Sequence, residues 1–308
     1  MSMFSPKSSA RKAGVSFLGG KVQLLELEHG KSPVVITAVE GDSPLDLRLL
    51  LTQANQGPSQ ASSLTQAISQ LIKRNKVKAK TVSFALPPDG VFVNTIPVAD
   101  FIKGPKLAEF LRWEVGQYFE GWSANDYLLS AASVPIRDPD AQYTLVVSLR
   151  RSTVSFFRKV AEQLGMTVGT LDLQQFCTEK ALSANHPESR SQSILLVSLL
   201  EGLIEISHLS KGHLVDYRRY VDLDVRGALY AHMKSISERD SLPKPQALYV
   251  TGDTFAEATV EECAESSGLP ATPVEPFARL DAPRRMVQAI GGGSVRFAAA
   301  AGLALRIP

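Results

Sequence analysis

The chain has 308 residues, 44% of them hydrophobic and 21% charged, with a net charge of +2. That length supports a large core and more than one lobe, and the near-neutral charge favours neither bulk nucleic-acid nor membrane-surface binding. Two cysteines, Cys177 and Cys263, give no disulfide framework and no metal-ligand spacing, which suits a reducing compartment.

The polar start, MSMFSPKSSARK, lacks the apolar stretch of a secretory signal and is expected to be loose. Gly14–Leu27 reads as strand, Gly19-Gly20 turn, strand, which is a hairpin signal. Pro33–Glu40 adds a third strand, and Pro44–Leu51 is ambiguous. After the loop-like Asn55–Ser63, Leu64, Ile68, Leu71 and Ile72 recur at helical spacing. The cations Lys73, Arg74, Lys76, Lys78 and Lys80 follow. Cations at a helix C-terminus complement the helix dipole, and no stacking aromatics accompany them, so a solvated helix end is preferred over a nucleic-acid patch.

Thr81–Leu86 is a strand stopped by Pro87-Pro88, and Val91–Pro97 alternates like an edge strand. Lys106–Phe119 is an amphipathic helix, and Trp113, Tyr118, Phe119 and Trp122 crowd aromatic side chains at its end. These pack a core or anchor a partner. Asp126–Val134 and Tyr143–Leu149 read as strands, Thr153–Leu164 as a helix ended by Gly165, and Val168–Leu171 as a short strand. Asp172 is placed to cap the next helix, through Phe176, Cys177 and Ala181.

Ile194–Tyr217 repeats the opening pattern: apolar strand, Glu201-Gly202 turn, alternating strand, Lys211-Gly212 and another alternating run. Two separated copies of one motif predict two similar halves facing each other. Helices are expected over Leu223–Ile236, Phe255–Ser267 and Phe297–Leu305, with a strand at Ala247–Val250 and a flexible joint at Gly291–Gly293. His208 and His213 flank a turn without companion ligands and are expected to be solvated or locally paired. Asp222 and Asp224 are expected on one exposed face.

In this order the motifs resemble the PilM family of type IV pilus assembly proteins, within the actin-like ATPase superfamily related to FtsA and GspL. Gly14, Val22, Glu26 and Leu27 keep their places in the family's opening G-I-D-I-G-S-S-S-V-K-V-V-E-L pattern. VSFALPPDGVFVNTIPV, the helix ending VGQYF, RRSTVSFFRKVAEQLGMTVGTLDL and the closing GLALR run over Gly302–Arg306 extend the resemblance over nearly the whole chain. It implies an α/β, two-lobed actin-like (ribonuclease H-like) fold with a small α/β subdomain inserted in the first lobe. The expected divisions are a flexible start (1–10), first lobe (11–89), inserted subdomain (90–168), first-lobe return and linker (169–192) and second lobe (193–308).

The departures concern nucleotide chemistry. The family's phosphate-handling aspartate falls at Ser16 and the following glycine at Leu18, and in the second hairpin Ser198 and Leu200 make the same two replacements. A serine is no carboxylate toward hydrated Mg²⁺, and a leucine stands where phosphate needs bare backbone. Glu201 sets a carboxylate beside the polyphosphate path, and the nucleoside-side glycine pair becomes Gly252-Asp253. No cofactor is therefore expected, ATP/Mg²⁺ binding is disfavoured, and no catalytic, cofactor or metal residues are assigned.

The resemblance implies a non-catalytic scaffold of a type IV pilus or related secretion machine. It would be cytoplasmic and peripheral to the inner membrane, docking the N-terminal peptide of a PilN-like bitopic membrane protein. Candidate contacts are Phe101, Leu107, Phe110 and Tyr118, within Pro97–Trp122. A homo-oligomer is also open; nucleic acid is not an expected partner. The alternatives are an ATP-binding, polymerising actin-like ATPase and a GspL-like cytoplasmic scaffold of type II secretion.

Overall fold

The computed structural model describes residues 11–53, 56–119, 123, 125–138 and 141–306. The loose start, Asn55 and Trp122 lie outside the described residues. The first lobe begins with β1 (Arg11–Leu18), β2 (Lys21–Glu28) and β3 (Val34–Asp42), an antiparallel meander. Gly19 and Gly20 turn β1 into β2 with φ of 58° and 68°, the left-handed pair that a two-residue hairpin requires. The ambiguous stretch after β3 forms α1 (Leu47–Thr52), because Asp46 accepts from the Leu49 amide at 3.1 Å and caps it. Then α2 (Pro58–Arg74) crosses to β4 (Thr81–Leu86), which pairs parallel with β1. Ala61, Leu64, Ile68 and Leu71 form its buried stripe, and the five cations at its C-terminal end are exposed.

Next come β5 (Val91–Ala99), α3 (Pro105–Gly116), β6 (Tyr127–Asp138) and β7 (Ala141–Arg150), a three-stranded antiparallel sheet in the order β5-β7-β6 with one helix. After it, α4 (Arg151–Gln163) leads to β8 (Thr167–Leu173), which completes the first sheet in the order β3-β2-β1-β4-β8. The sequence assigns residues 151–163 to the inserted subdomain, whereas the structure packs α4 in the first-lobe core. Phe157 is fully buried, 5.0 Å from Phe84 and 6.0 Å from Phe17 by ring centroids. Helical spacing shows that Phe156, Phe157, Val160 and Ala161 share an apolar face but not which sheet receives it.

The helix α5 (Gln174–Asn185) leads to the second lobe, built from β9 (Ser193–Leu200), β10 (Leu203–Ser210), β11 (His213–Val221), α6 (Val225–Ser237), β12 (Ala247–Gly252), α7 (Glu257–Ser267) and β13 (Ala271–Pro273). Its sheet runs β11-β10-β9-β12-β13, with the same antiparallel meander and parallel additions as the first. The chain then passes through α8 (Arg284–Ile290) and a 3₁₀ helix (Gly291–Phe297) into α9 (Ala298–Ala304). That 3₁₀ helix replaces the flexible joint expected at the triple glycine. The Ser294 hydroxyl donates to Glu275 at 3.0 Å, and the Thr251 hydroxyl donates to the Val295 carbonyl at 3.1 Å.

The centre of the molecule is the crossing of α5 and α9 between the lobes. Small residues let the backbones touch: a Cβ on Gly302 would overlap the Cys177 carbonyl oxygen, and one on Gly14 would overlap that of Ala300. The inserted sheet is braced against the second lobe as well. Val134 and Ile136 join the second-lobe core, and Arg219 donates to the carbonyls of Pro88 and Val91 at 3.0 and 3.2 Å.

Sequence placed His208 in solvent or in a local pair, and only the pair is found. β10 is covered on both faces, so His208 is fully buried and bonded to the Ser193 hydroxyl at 2.8 Å. His213 is exposed. Burial pushes both His208 and the neighbouring His232 down to about 4, so they are neutral. Asp222 and Asp224 are exposed, and Asp224 caps α6 by accepting from the Gly227 amide at 2.7 Å.

Candidate functional site

The two hairpin turns and the end of β12 converge between the lobes. Ser16 and Ser198, which stand where the resembling family carries acids, are buried, and both hydroxyls are engaged. Ser16 donates to Gln23 Oε1 at 3.2 Å, and Ser198 donates to Gln175 Oε1. The adjacent Gln174 donates its amide to the Phe17 carbonyl. Leu18 and Leu200 close over these groups, and the space remaining between them is about 20 Å³. A nucleotide-sized site needs several hundred Å³.

An internal carboxylate stands at the turns. A Cβ on Gly19 would lie 3.2 Å from the Asp253 Cβ and 3.0 Å from Arg296 Nη2. Burial raises the Asp253 pKa, opposed by the backbone amides of Glu201 and Gly19, which face the carboxylate. Asp253 therefore sets a carboxylate, its Oδ1 without a hydrogen-bond partner, where two glycine turns would face a phosphate. Outside it lies an open recess of about 580 Å³. Its cations are committed: Lys21 pairs with Asp42 at 2.6 Å and Arg48 with Asp89 at 2.9 Å. Asp46, Glu201 and Asp253 add carboxylates along the same wall, an unfavourable field for polyphosphate.

Glu205, on the same cleft, is 1% exposed and accepts from the Tyr217 hydroxyl. Desolvation holds its pKa up at about 7, against 4.5 for an ordinary glutamate. The unfolded chain ionises first, so the stability contributed by the neutral buried acid is full below about 4.5. It is lost as pH rises through 7. Glu205→Gln cannot ionise and is expected to gain on the unsubstituted protein by about 3 kcal/mol between pH 4.5 and 7. Urea unfolding across that range measures the gap; a gap independent of pH contradicts the assignment.

Among the described residues no group of three His, Cys, Asp or Glu side chains is arranged to hold a metal ion. Cys177 and Cys263 are buried, and burial pushes both thiols up, away from the reactive thiolate.

A second concavity has the opposite character. A groove of about 680 Å³ lies between the inserted sheet and the first lobe. One wall is β6, whose consecutive residues Leu128–Ala132 all border the groove. Consecutive residues line a concavity only when the strand presents its edge, because successive side chains point to opposite faces. The other wall is β8, through Val168 and residues 171–173. Both strands are terminal in their sheets. Leu145, Val147 and Leu149 of β7 form much of the floor.

The structure does not bring Phe101, Leu107, Phe110 and Tyr118 to this groove. The β7 pleat sends Val146 to the α3 side of the inserted sheet and Val147 to the groove side. Leu107 and Phe110 are half-buried against Leu111, Val115, Ile96 and Val146 on the α3 side. Tyr118 rests 5.1 Å from the Phe92 ring, and Phe101 is 84% exposed beside the same helix. Helical spacing identified a packing face, while the groove residues carry only the weak signal of two apolar segments that end their sheets.

Asp172 also differs from expectation. It does not cap α5; its Oδ1 accepts from the Leu173 amide at 2.8 Å and Oδ2 pairs with Arg306. Two residues from the distant TLDL and GLALR motifs thus meet at the groove's end.

No family model and no curated protein matches the chain. Among solved structures, a chain of the PilM–PilN type IV pilus biogenesis complex is 18% identical with a TM-score of 0.76, covering 98% of this chain and 99% of that one. EutJ, an ethanolamine utilization protein from Carboxydothermus hydrogenoformans, is 11% identical with a TM-score of 0.51, over 98% and 91% of the two chains. A Bacteroides thetaiotaomicron protein of unknown function with an actin-like ATPase fold is 12% identical with a TM-score of 0.50, over 90% and 95%. These similarities establish the two-lobed actin-like fold.

Proposed function

We propose that this protein is a non-catalytic scaffold of a type IV pilus or related secretion machine, docking the cytoplasmic N-terminal peptide of a PilN-like inner-membrane protein. The observation that carries this reading is the open apolar groove between two strand edges, beside a cleft whose turns carry Leu18, Leu200 and the Asp253 carboxylate. An extended peptide fits such a site by adding its backbone to β6 or β8 while its apolar side chains enter the floor. Proposed contacts are Leu128, Ala132, Leu149 and Leu171, in place of Phe101, Leu107, Phe110 and Tyr118. The likeness over the full chain to a PilM–PilN complex chain supports the choice of partner class. Among the described residues no helix is long and apolar enough to cross a membrane, so attachment to the inner membrane would run through the partner.

The test is calorimetric titration with a synthetic peptide of the first 20 residues of a PilN-like inner-membrane protein from the same organism. Saturable one-to-one binding is expected; absence of binding overturns the reading. Mg·ATP in millimolar excess is expected to leave the melting temperature unchanged. A ligand at a thousand times its Kd stabilises by about 4 kcal/mol, so a rise of several degrees would reveal a working nucleotide site.

A further inference from the structure

The groove is mainly apolar, and among the described residues its charged lining residues are Asp172, Glu179 and Arg306, at one corner. Arg306 is committed: its Nη2 pairs with Asp172 and lies 3.3 Å from the Phe176 carbonyl, to which it donates. Glu179 follows one turn later on α5. Its Oε1 is sealed from solvent and has no hydrogen-bond partner, while the residue as a whole borders the groove. The Ser207 hydroxyl lies on the same side and accepts from Gln175 Nε2 at 3.0 Å. Desolvation raises the Glu179 pKa to about 7, and the nearby Asp172 charge pushes it further up. Once Glu179 ionises, the corner sets two carboxylates against one guanidinium in an apolar enclosure. An acid in such a place stays protonated until a cation arrives to favour its charged form.

From this imbalance we infer that the groove takes a segment carrying one cationic group, an α-ammonium or a lysine or arginine side chain, docked against Glu179 beside the Asp172–Arg306 pair. The inference rests on the groove being a peptide site. Apolar burial along β6 and β8 holds the segment, and the Glu179 contact fixes its register by placing one charge at one end. A peptide of equal hydrophobicity without that charge forgoes the ion pair and leaves the acid protonated, which makes the corner a filter against neutral segments.

The experiment uses the same 20-residue peptide in four forms: free at the amino terminus, N-acetylated, with its lysines and arginines replaced by norleucine, and with both changes. One of the single neutralisations is expected to weaken binding tenfold or more, and which one does so separates ammonium from side-chain recognition. On Glu179→Gln the same change is expected to matter less than twofold. Equal binding of all four peptides to the unsubstituted protein overturns the inference and leaves the docking reading standing. A tenfold loss that persists on Glu179→Gln also overturns it, because the cation is then met elsewhere. If no form binds, the docking reading falls and this inference falls with it.

Discussion

Leu128→Arg is expected to weaken peptide binding about a hundredfold while leaving the fold intact. Leu128 lies on the β6 wall of the groove and is 39% exposed, so the substitution opens no cavity and buries no charge in the free protein. Exposed substitutions of this kind usually change stability by no more than about 0.5 kcal/mol. In the complex, however, the long cation fills the space meant for an apolar side chain and must be desolvated there. Losing one well-buried apolar anchor typically costs about 2 kcal/mol or more, and burying a charge in its place adds to that. Calorimetry with the peptide and a thermal melt of the variant are the measurements. A normal melt with unchanged affinity would show that the groove is not where the peptide binds.

The largest structural effect is expected at Gly302→Val. A Cβ there would overlap the Cys177 carbonyl and stand 3.0 Å from the Ala181 amide nitrogen. The obstruction is helix backbone on α5, which cannot turn away as a side chain would, so the two central helices must separate. Both lobes contribute to the packing around that crossing, with Leu25, Leu27 and Val35 of the first sheet against Ala300, Ala301 and Ala304. Overpacking usually costs about 1–3 kcal/mol, and here the clash is with backbone, so a loss of about 3 kcal/mol or more is expected. Urea unfolding measures it; a loss under about 1 kcal/mol would mean that α5 and α9 are not in this close contact.

Much of the fold is legible in the sequence because it is local. Gly19-Gly20, Glu201-Gly202 and Lys211-Gly212 sit between alternating apolar runs, and turn chemistry of that kind determines its own hairpins. The Leu64, Ile68, Leu71 and Ile72 stripe likewise reveals its helix by spacing, although the helix begins at Pro58, inside the stretch that reads as a loop. The arrangement at the two hairpin turns is legible in part. Ser16, Leu18, Ser198 and Leu200 show at once that acids and glycines have gone, but not that Gln23, Gln174 and Gln175 engage the vacated positions. Nor does the sequence show that Asp253, read simply as a replaced glycine, turns back on Gly19.

The groove is not legible, because its walls come from residues about forty positions apart whose relevant property is a missing strand partner. Being the last strand of a sheet is a tertiary fact that no pattern within Leu128–Ala132 or Thr167–Leu173 encodes. The aromatic cluster at the end of α3 drew attention instead, since exposed aromatics are favoured at interfaces. Period-2 alternation in β7 assigns Leu145, Val147 and Leu149 to a common face, yet only the packed structure shows that this face opens on a cavity while Val146 meets α3. The Asp172–Arg306 pair is intermediate: both residues belong to recognisable motifs, and their partnership appears only when α9 crosses the first lobe.

Hydrogen–deuterium exchange of the full chain, with and without the 20-residue peptide, tests the central claim most directly. Docking by strand addition at the groove predicts slowed exchange in Tyr127–Asp138 and Thr167–Leu173, with the turns at Gly19-Gly20 and Gly252-Asp253 unchanged by either peptide or Mg·ATP. Protection of those turns by Mg·ATP, with no peptide-dependent protection in the two edge strands, would contradict it.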